Sequence, residues 1–240
     1  MIRSIRFWRL PLFSMILFSP IAILAQSVDR AGLEKQIGSL YEEIREKERE
    51  FIAVDPDDTA KYAEFLKQTD TGIFRLAPRE KYDGKLSIRG GGAYYSFTRL
   101  THEYDYGSDI ELSQGNFSVG FAGLDFGFLV IIDDTPLDSV TLEHPGLKFL
   151  LSFVPASVEP EIREQQRSSS YGIEANGFTY RRSAAALVNT TYALRSIDYS
   201  GADILVAFRV VRRDADGSMI LTWKKLKSFQ SPHYERNEQE

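Results

Sequence analysis

The chain has 240 residues and no cysteine, which excludes disulfide bonds, thiol catalysis and metal binding by thiolates. Its 29 basic and 34 acidic side chains give a net charge of −5, and this charge disfavours nucleic acid as a general partner. A chain of this length can bury a sizeable core as one domain, with or without an extension.

The first 25 residues have the layout of a secretory signal peptide. Three arginines precede an apolar run over 10–25, and the first acidic residue of the chain is Asp29. The run is shorter than the roughly 20 residues that a membrane span needs, although an uncleaved anchor is the alternative. We therefore expect cleavage after Ala25, export to the periplasm or the cell exterior, and no membrane span in the mature chain. Cleavage would remove the three arginines and lower the net charge to −8.

Residues 26–78 are predicted to form a helical segment ahead of the β region. The apolar residues that share one helix face are Leu33, Ile37, Leu40, Ile44 and Phe51. Their spacing predicts a helix over 27–52 that packs on its own domain in a monomer. The same spacing resembles a short heptad pattern, so a coiled-coil dimer through 27–52 is the alternative. Asp55 and Pro56 then predict the start of a second helix, because Asp caps and Pro suits the first helical position.

Residues 79–229 show short apolar runs separated by Gly, Asp, Asn and Pro, which predicts an antiparallel β domain. The predicted strands lie near 85–98, 110–122, 126–133, 147–154, 176–184, 190–199, 203–213 and 218–229. The run 126–132 is apolar at both its odd and its even positions, so both faces of a strand here would be apolar. This predicts a central strand covered on both faces. The predicted fold is mainly β, an antiparallel sandwich or partly closed barrel of about eight strands. With the N-terminal helical segment in front, the class is α+β overall.

Three connecting or terminal segments carry separate predictions. Asp214–Gly217, between the last two strands, predicts a hairpin turn rather than a calcium loop, because an apolar strand follows in place of oxygen ligands. The polar segment 155–172 predicts either a flexible excursion or a short helix at 159–166. The polar tail 230–240 is predicted to be disordered.

The stretch Ile88–Asp109 is the main candidate for a ligand site. Three consecutive glycines open it, and nine of the 17 glycines of the chain lie within 84–127 among many aromatic residues. Glycines of this kind often mark bends that aromatic rings cover, and we favour this structural interpretation. The functional interpretation is a groove with a backbone floor and tyrosine walls, suited to a sugar, a peptide or another flat ligand. The candidate ligand-binding residues are Tyr94, Tyr95, His102, Tyr104 and Asp105.

Two histidine-bearing segments permit an enzymatic alternative. His102 and His144 each lie beside carboxylates, and a metal-dependent or other hydrolase would need the two to meet in space. The sequence contains no zinc, calcium-loop, nucleophile-elbow or phosphate-loop motif, so we predict no cofactor or metal and assign no catalytic residue. The predicted function is an exported, non-catalytic β domain that binds a ligand, an envelope component or a partner protein. A small barrel holding an apolar ligand is a further alternative.

Overall fold

The computed structural model describes residues 29–105 and 107–235. The predicted signal peptide over 1–25 lies outside the described residues. The chain divides into two compact units, 1–39 and 40–240. Helix α1 comprises Arg30–Ile52, and in the first unit Asp29 accepts a hydrogen bond from the Gly32 N–H at 3.0 Å, which caps the start of the helix. Among the described residues, no helix combines the length and the apolar character that crossing a membrane requires.

The second unit has an α+β composition in which strands dominate. Its further helices are α2 (Pro56–Lys61), α3 (Ala63–Leu66), α4 (Arg79–Tyr82), α5 (Lys148–Ser152) and α6 (Glu159–Tyr171). Its strands are β1 (Thr71–Leu76), β2 (Tyr94–Tyr95), β3 (Ile110–Ser113), β4 (Asn116–Ser118), β5 (Phe126–Ile131), β6 (Ile173–Ala175), β7 (Phe178–Tyr180), β8 (Ser183–Ala185), β9 (Thr191–Ile197), β10 (Asp203–Arg213) and β11 (Met219–Phe229). The predicted fold class, mainly β behind an N-terminal helix, is confirmed, and the described strands form no closed barrel.

A five-stranded antiparallel sheet in the order β1-β11-β10-β9-β5 is the central layer. The predicted hairpin is confirmed in β10 and β11, and the Gly217 backbone in their connection has φ of +91°, a conformation that favours glycine. Successive side chains of a strand point to opposite faces, so Val206 and Phe208 enter one core while Leu205 and Ala207 enter the other.

A four-stranded sheet in the order β2-β3-β4-β8 covers one face of the central sheet. Between them lies a core in which the Phe117 ring of β4 meets the Phe208 ring of β10 edge-on at 5.2 Å. The arrangement is a sandwich of two antiparallel sheets. The segment 110–122, predicted as one strand, is a hairpin of β3 and β4, because Gln114 and Gly115 both take positive φ and reverse the chain.

Helices α5 and α6 and the β6–β7 hairpin cover the other face of the central sheet. The prediction of a strand at 147–154 was wrong, since residues 148–152 form α5. A short apolar run fits both the helical and the strand period, and here Leu147 and Leu150, three positions apart, are both buried on this side. In 155–172 the helical alternative is confirmed, and α6 is longer than the predicted 159–166.

Strand β5 is covered on both faces, as predicted, but it is not central. It lies at the edge of the five-stranded sheet with β9 as its neighbour. Leu129 faces the core between the two sheets while Phe128 faces the helical layer. Arg181 covers the outer edge, because its backbone N–H and C=O pair with those of Leu129 at 3.0 and 2.7 Å. The second sheet, the helical layer and Arg181 therefore bury β5, although it has a neighbouring strand of its own sheet on one side only.

A buried ion pair attaches the helical layer to the central sheet. Arg195 of β9 is 1% exposed and donates two hydrogen bonds to the Asp203 carboxylate, at 2.9 and 2.7 Å. Its remaining terminal nitrogen donates to the backbone oxygens of Leu150 and Phe153 at 2.6 and 2.7 Å. The guanidinium also lies 3.7 Å from the centre of the Phe229 ring. Every polar atom of this buried charge is engaged, as burial demands.

The chain after β11 contacts the helical layer over its described part. The Tyr234 hydroxyl donates to Glu159 at 3.2 Å, and the Glu235 N–H donates to the Ser157 oxygen at 2.8 Å. Residues 236–240 lie outside the described residues. Disorder over 230–240 stays a prediction, and the contacts of Tyr234 and Glu235 count against it for these two residues.

Candidate functional site

The two adjacent tyrosines of the predicted site are core residues. Tyr95 stacks on Phe74 with 3.8 Å between ring centres, and burial raises the pKa of its hydroxyl to about 12. The Tyr94 hydroxyl donates to Glu111 at 2.6 Å, and burial together with this bond raises its pKa. Gly90 has φ of +80°, and a Cβ there would lie 2.4 Å from the Tyr94 ring. Gly90 therefore serves close packing under a ring, and a Cβ at Gly91 would instead meet the backbone of Tyr82 and Asp83, so both positions fit the structural interpretation.

His102 is a structural hydrogen-bond donor. Its Nε2 donates to the backbone oxygen of Arg75 at 2.7 Å, on the open edge of β1. The rings of Phe74 and Tyr95 lie 6.1 and 5.0 Å from the imidazole. Burial, with the nearby charge of Arg75, lowers the pKa of His102 to about 4. The side chain is therefore neutral at physiological pH and joins the second sheet to an edge of the first.

Tyr104 and Asp105 complete the predicted set. The Tyr104 ring packs on Tyr94 at 4.5 Å between centres, and the Arg89 guanidinium lies 5.7 Å from it. Asp105 forms an ion pair with Arg99 and accepts a hydrogen bond from the Gly107 N–H at 2.8 Å. The latter bond is typical of an aspartate that closes a turn. A ligand-binding role for the five residues stays a prediction, and the polar groups of Tyr94, His102 and Asp105 already have partners within the protein.

The two histidines of the enzymatic alternative lie on opposite sides of the central sheet. His102 contacts the core between the two sheets, whereas His144 lies beside Phe178 in the helical layer. The His144 Nδ1 accepts a hydrogen bond from the Gly146 N–H at 3.1 Å. Across residues 29–105 and 107–235, no cluster of three or more His, Asp and Glu side chains is arranged to hold a metal ion. The structure therefore does not bring the two histidines together.

A pair of carboxyl groups that the sequence did not reveal lies at one end of the central sheet. Asp125 precedes β5 and Asp198 follows β9, and the pairing of Phe126 with Ile197 places them side by side. Burial, with the charge of Asp198, raises the pKa of Asp125 to about 7. The charge of Asp109 also helps to raise the pKa of Asp125, and burial raises the pKa of Asp109 itself to about 6. The cluster can hold a proton near neutral pH. Only strand register could have revealed it.

The last turns of α1 are attached to the rest of the second unit. Glu48 is buried and accepts hydrogen bonds from the backbone N–H and the hydroxyl of Ser87. The Phe51 backbone oxygen accepts a hydrogen bond from Arg75 at 2.6 Å, and the Phe51 ring meets the Tyr82 ring edge-on at 5.0 Å between centres. The predicted packing of the helix on its own domain holds for this end.

The preceding turns of α1 leave their apolar side chains in solvent. Leu40, Tyr41 and Ile44 are 58%, 53% and 43% exposed. With Phe51 and Leu86, Leu40 and Ile44 border an open groove of about 490 Å³, which we call the α1 groove, and Tyr41 is exposed beside it. Adjacent apolar side chains in solvent are typical of a docking surface for another molecule. In the first unit, taken by itself, the helix also exposes apolar side chains, those of Leu33 and Ile37.

Comparisons with known proteins assign no class to this chain. No family model matches the sequence, and neither the curated proteins nor the solved structures gave a significant match. The functional argument therefore depends on the geometry of the chain alone.

Proposed function

We propose that this protein is an exported, non-catalytic binding domain that recognises a partner protein through the α1 groove. The observation that carries the proposal is the exposure of Leu40, Tyr41 and Ile44 side by side. Such a surface exposes apolar area to water, and a partner that covers it recovers roughly 25 cal/mol per Å² before the costs of association.

The engagement of the other candidate groups supports a binding role over a catalytic one. The His102 Nε2 already donates to a backbone oxygen, and the half-buried imidazole has a pKa lowered to about 4, so it is poorly placed to take a proton from a substrate. Asp105 is paired with Arg99, and His144 accepts from a backbone N–H. In the α1 groove, in contrast, the side chains of Leu40 and Ile44 extend into solvent and are not packed into the core.

The partner that best fits the α1 groove is an amphipathic helix with basic flanks. Apolar grooves of this kind accept apolar side chains spaced three and four residues apart. The groove is bordered by Glu43 and also by Lys47, which pairs with Glu50 at 3.0 Å. A second copy of α1 fits less well, because in a parallel coiled coil Glu43 would approach Glu48 of the other copy. The coiled-coil dimer is therefore the competing outcome of the test.

The binding test compares wild-type protein with the double variant Leu40→Ser/Ile44→Ser. The probe is a synthetic helical peptide with Leu at heptad positions and Lys beside them, and a Glu-substituted peptide controls for charge. We expect the variant to bind the Lys peptide at least about tenfold more weakly, since two hot-spot side chains are lost. A matched control, Leu142→Ser/Val154→Ser, removes two other exposed apolar residues and should bind like wild type.

Equal binding by wild type and the Leu40→Ser/Ile44→Ser variant would refute the α1 groove as the docking surface. A measurement of mass in solution separates the two occupants. A wild-type dimer that becomes a monomer in the variant would favour a second copy, and a monomer in both would favour a different protein.

Export is a separate part of the proposal and depends on residues 1–25. The supporting pattern is the basic start, the apolar run and the small residues before Gln26. Fractionation of producing cells followed by N-terminal sequencing is the test. We expect the mature protein outside the cytoplasm with Gln26 as its first residue, and a cytoplasmic protein with an intact N-terminus would contradict this.

A further inference from the structure

A small pocket of about 200 Å³ lies between the loop 119–125 and helix α6. Its charged and polar lining comes from Asp125, Arg163, Gln166 and Arg182, and the loop contributes Gly120 and Gly123 with φ of +78° and +54°. The pocket lies far along the chain from the α1 groove and shares none of its residues. It has room for only a few non-hydrogen atoms.

Within the described residues the Arg182 guanidinium donates to backbone oxygens and forms no ion pair with a carboxylate. Its Nε donates to the Val119 oxygen at 3.1 Å and its Nη2 donates to the Gly120 oxygen. Its backbone N–H donates to the Ser169 oxygen of α6 at 2.7 Å. The guanidinium is thus held in place by backbone oxygens, while its Nη1 has no partner among residues 29–105 and 107–235.

Helix α6 supplies further donors to the same loop. Arg163 donates to the Gly123 oxygen at 2.9 Å and forms an ion pair with Glu159 at 3.2 Å. Gln166 donates to the oxygens of Gly123 and Asp125 at 3.3 and 3.2 Å. The side chains of Arg163 and Gln166 therefore donate to the carbonyl oxygens of the loop and not to its N–H groups.

The backbone N–H groups of the loop remain available. Those of residues 120–124 donate to no acceptor in the part of the chain that the structure describes. Successive free N–H groups in a loop with positive φ values resemble the backbone arrangements that bind anions. The pocket therefore offers donors from the backbone and from Nη1 of Arg182, with the Arg163 guanidinium, already paired with Glu159, beside them.

We infer that this pocket binds a phosphate group, either free or on a small molecule, between Arg182, Arg163 and the loop N–H groups. Guanidinium groups bind phosphate through paired, charge-assisted hydrogen bonds, which are stronger than neutral ones. The tetrahedral group presents oxygens in several directions and so can accept from side chains and backbone together. The small volume favours a phosphate group over a larger anion.

Asp125 is the one carboxyl group in the lining, and it sets the condition for the test. The groups that face it are Asp198 after β9, Asp109 before β3 and the Tyr199 N–H, which donates to it at 3.3 Å. Burial and the charge of Asp198 raise its pKa to about 7. At pH 6 Asp125 is therefore mostly protonated and does not repel an anion.

The experiment is calorimetric titration of the full protein with inorganic phosphate at pH 6, against sodium chloride at matched ionic strength. We expect phosphate to bind wild type, and to bind Arg182→Gln at least about tenfold more weakly, since a charged hydrogen-bonding group is lost. Arg181→Gln is the matched control, because Arg181 is the neighbouring exposed arginine and lines a different groove. It should bind like wild type.

Absence of phosphate binding beyond the chloride control would overturn the inference, and so would equal binding by wild type and Arg182→Gln. If Arg182→Gln fails to fold, Arg163→Gln takes its place. Its loss of affinity would support the site, and wild-type affinity in that variant would overturn it.

Discussion

Two regions of this protein differ in what they leave available to a ligand. In the stretch Ile88–Asp109 the rings of Tyr94 and Tyr95 are buried, and the imidazole of His102 donates to a strand edge. On α1, Leu40 and Ile44 extend into solvent. The first region has the residue types of a binding site, but the second has the free surface of one.

The difference teaches that residue type alone does not identify a site. Tyrosine, histidine and glycine are as useful for covering a bent strand as for holding a ligand. A leucine on an amphipathic helix is ordinary until the structure leaves it uncovered. A candidate site is indicated by polar or apolar groups that the fold leaves without a partner. Substitutions in the two regions should accordingly separate stability from binding.

The largest effect is expected in the stretch Ile88–Asp109. Tyr95→Ala should lower the free energy of unfolding by about 3–5 kcal/mol, because it removes a buried ring that stacks on Phe74. Urea denaturation measures the change. Tyr104→Ala is the control, since this ring is only half-buried and should cost less. A loss below about 1 kcal/mol for Tyr95→Ala would mean that the ring does not belong to the core.

A smaller effect is expected at His102. His102→Ala should cost about 1–3 kcal/mol, because the Arg75 oxygen loses its donor. The pKa of His102 is about 4 in the folded chain and about 6.5 when unfolded, so the unfolded chain binds a proton first. The stability that neutral His102 contributes is therefore present above pH about 6.5 and is lost as pH falls towards 4.

The measurement for His102 is urea denaturation at pH 7.5 and pH 5. From pH 7.5 to pH 5 the free energy of unfolding of wild type should fall relative to that of His102→Ala, because only wild type loses the contribution of His102. His233→Ala serves as the control for removing a histidine near the end of the chain. Parallel pH curves for wild type and His102→Ala would show that folding does not lower the pKa of the imidazole.

The carboxyl pair should respond to pH in the opposite direction. Because the pKa of Asp125 rises to about 7 on folding, the folded chain holds a proton that the unfolded chain releases near pH 4. The contribution of Asp125 to wild-type stability should therefore fall as pH rises from about 4 to 7. Asp125→Asn should melt at a higher temperature than wild type at pH 8, with a difference that shrinks towards pH 5. Asp57→Asn, at an exposed aspartate, is the control, and a lower melting temperature for Asp125→Asn at pH 8 would contradict the prediction.

The smallest effect on stability is expected in the α1 groove. Leu40→Ser and Ile44→Ser should each change the free energy of unfolding by no more than about 0.5 kcal/mol, because neither side chain is covered. The same denaturation assay measures this, with Leu142→Ser as the matched exposed control. A loss above about 1 kcal/mol would indicate that the surface packs against the protein in solution, and the comparison between the two regions would then fail.

The sequence predicted the elements in which a local pattern has one solution. The hairpin β10–β11 follows from two apolar strands around Asp214–Gly217, and α1 follows from apolar spacing of three and four. Segments compatible with two periods were not decided locally. The segment 147–154 was expected as a strand but contains helix α5, and 110–122 was expected as one strand but contains two.

The candidate site was less predictable than the fold because its features depend on distant partners. The sequence singled out Tyr95 and His102 as residues of interest, but only packing against Phe74 and the β1 edge shows their structural use. The meeting of Asp125 with Asp198 depends on strand register, which single-sequence patterns do not specify.

By itself the sequence determined an α+β chain with an N-terminal amphipathic helix and an antiparallel β domain, since hydrophobic period and turn residues act locally. Tertiary structure decided which apolar surfaces are covered. It buried both faces of β5 at a sheet edge and left Leu40 and Ile44 of α1 uncovered. Burial depends on which segments meet in space, and this is a property of the whole chain rather than of any stretch within it.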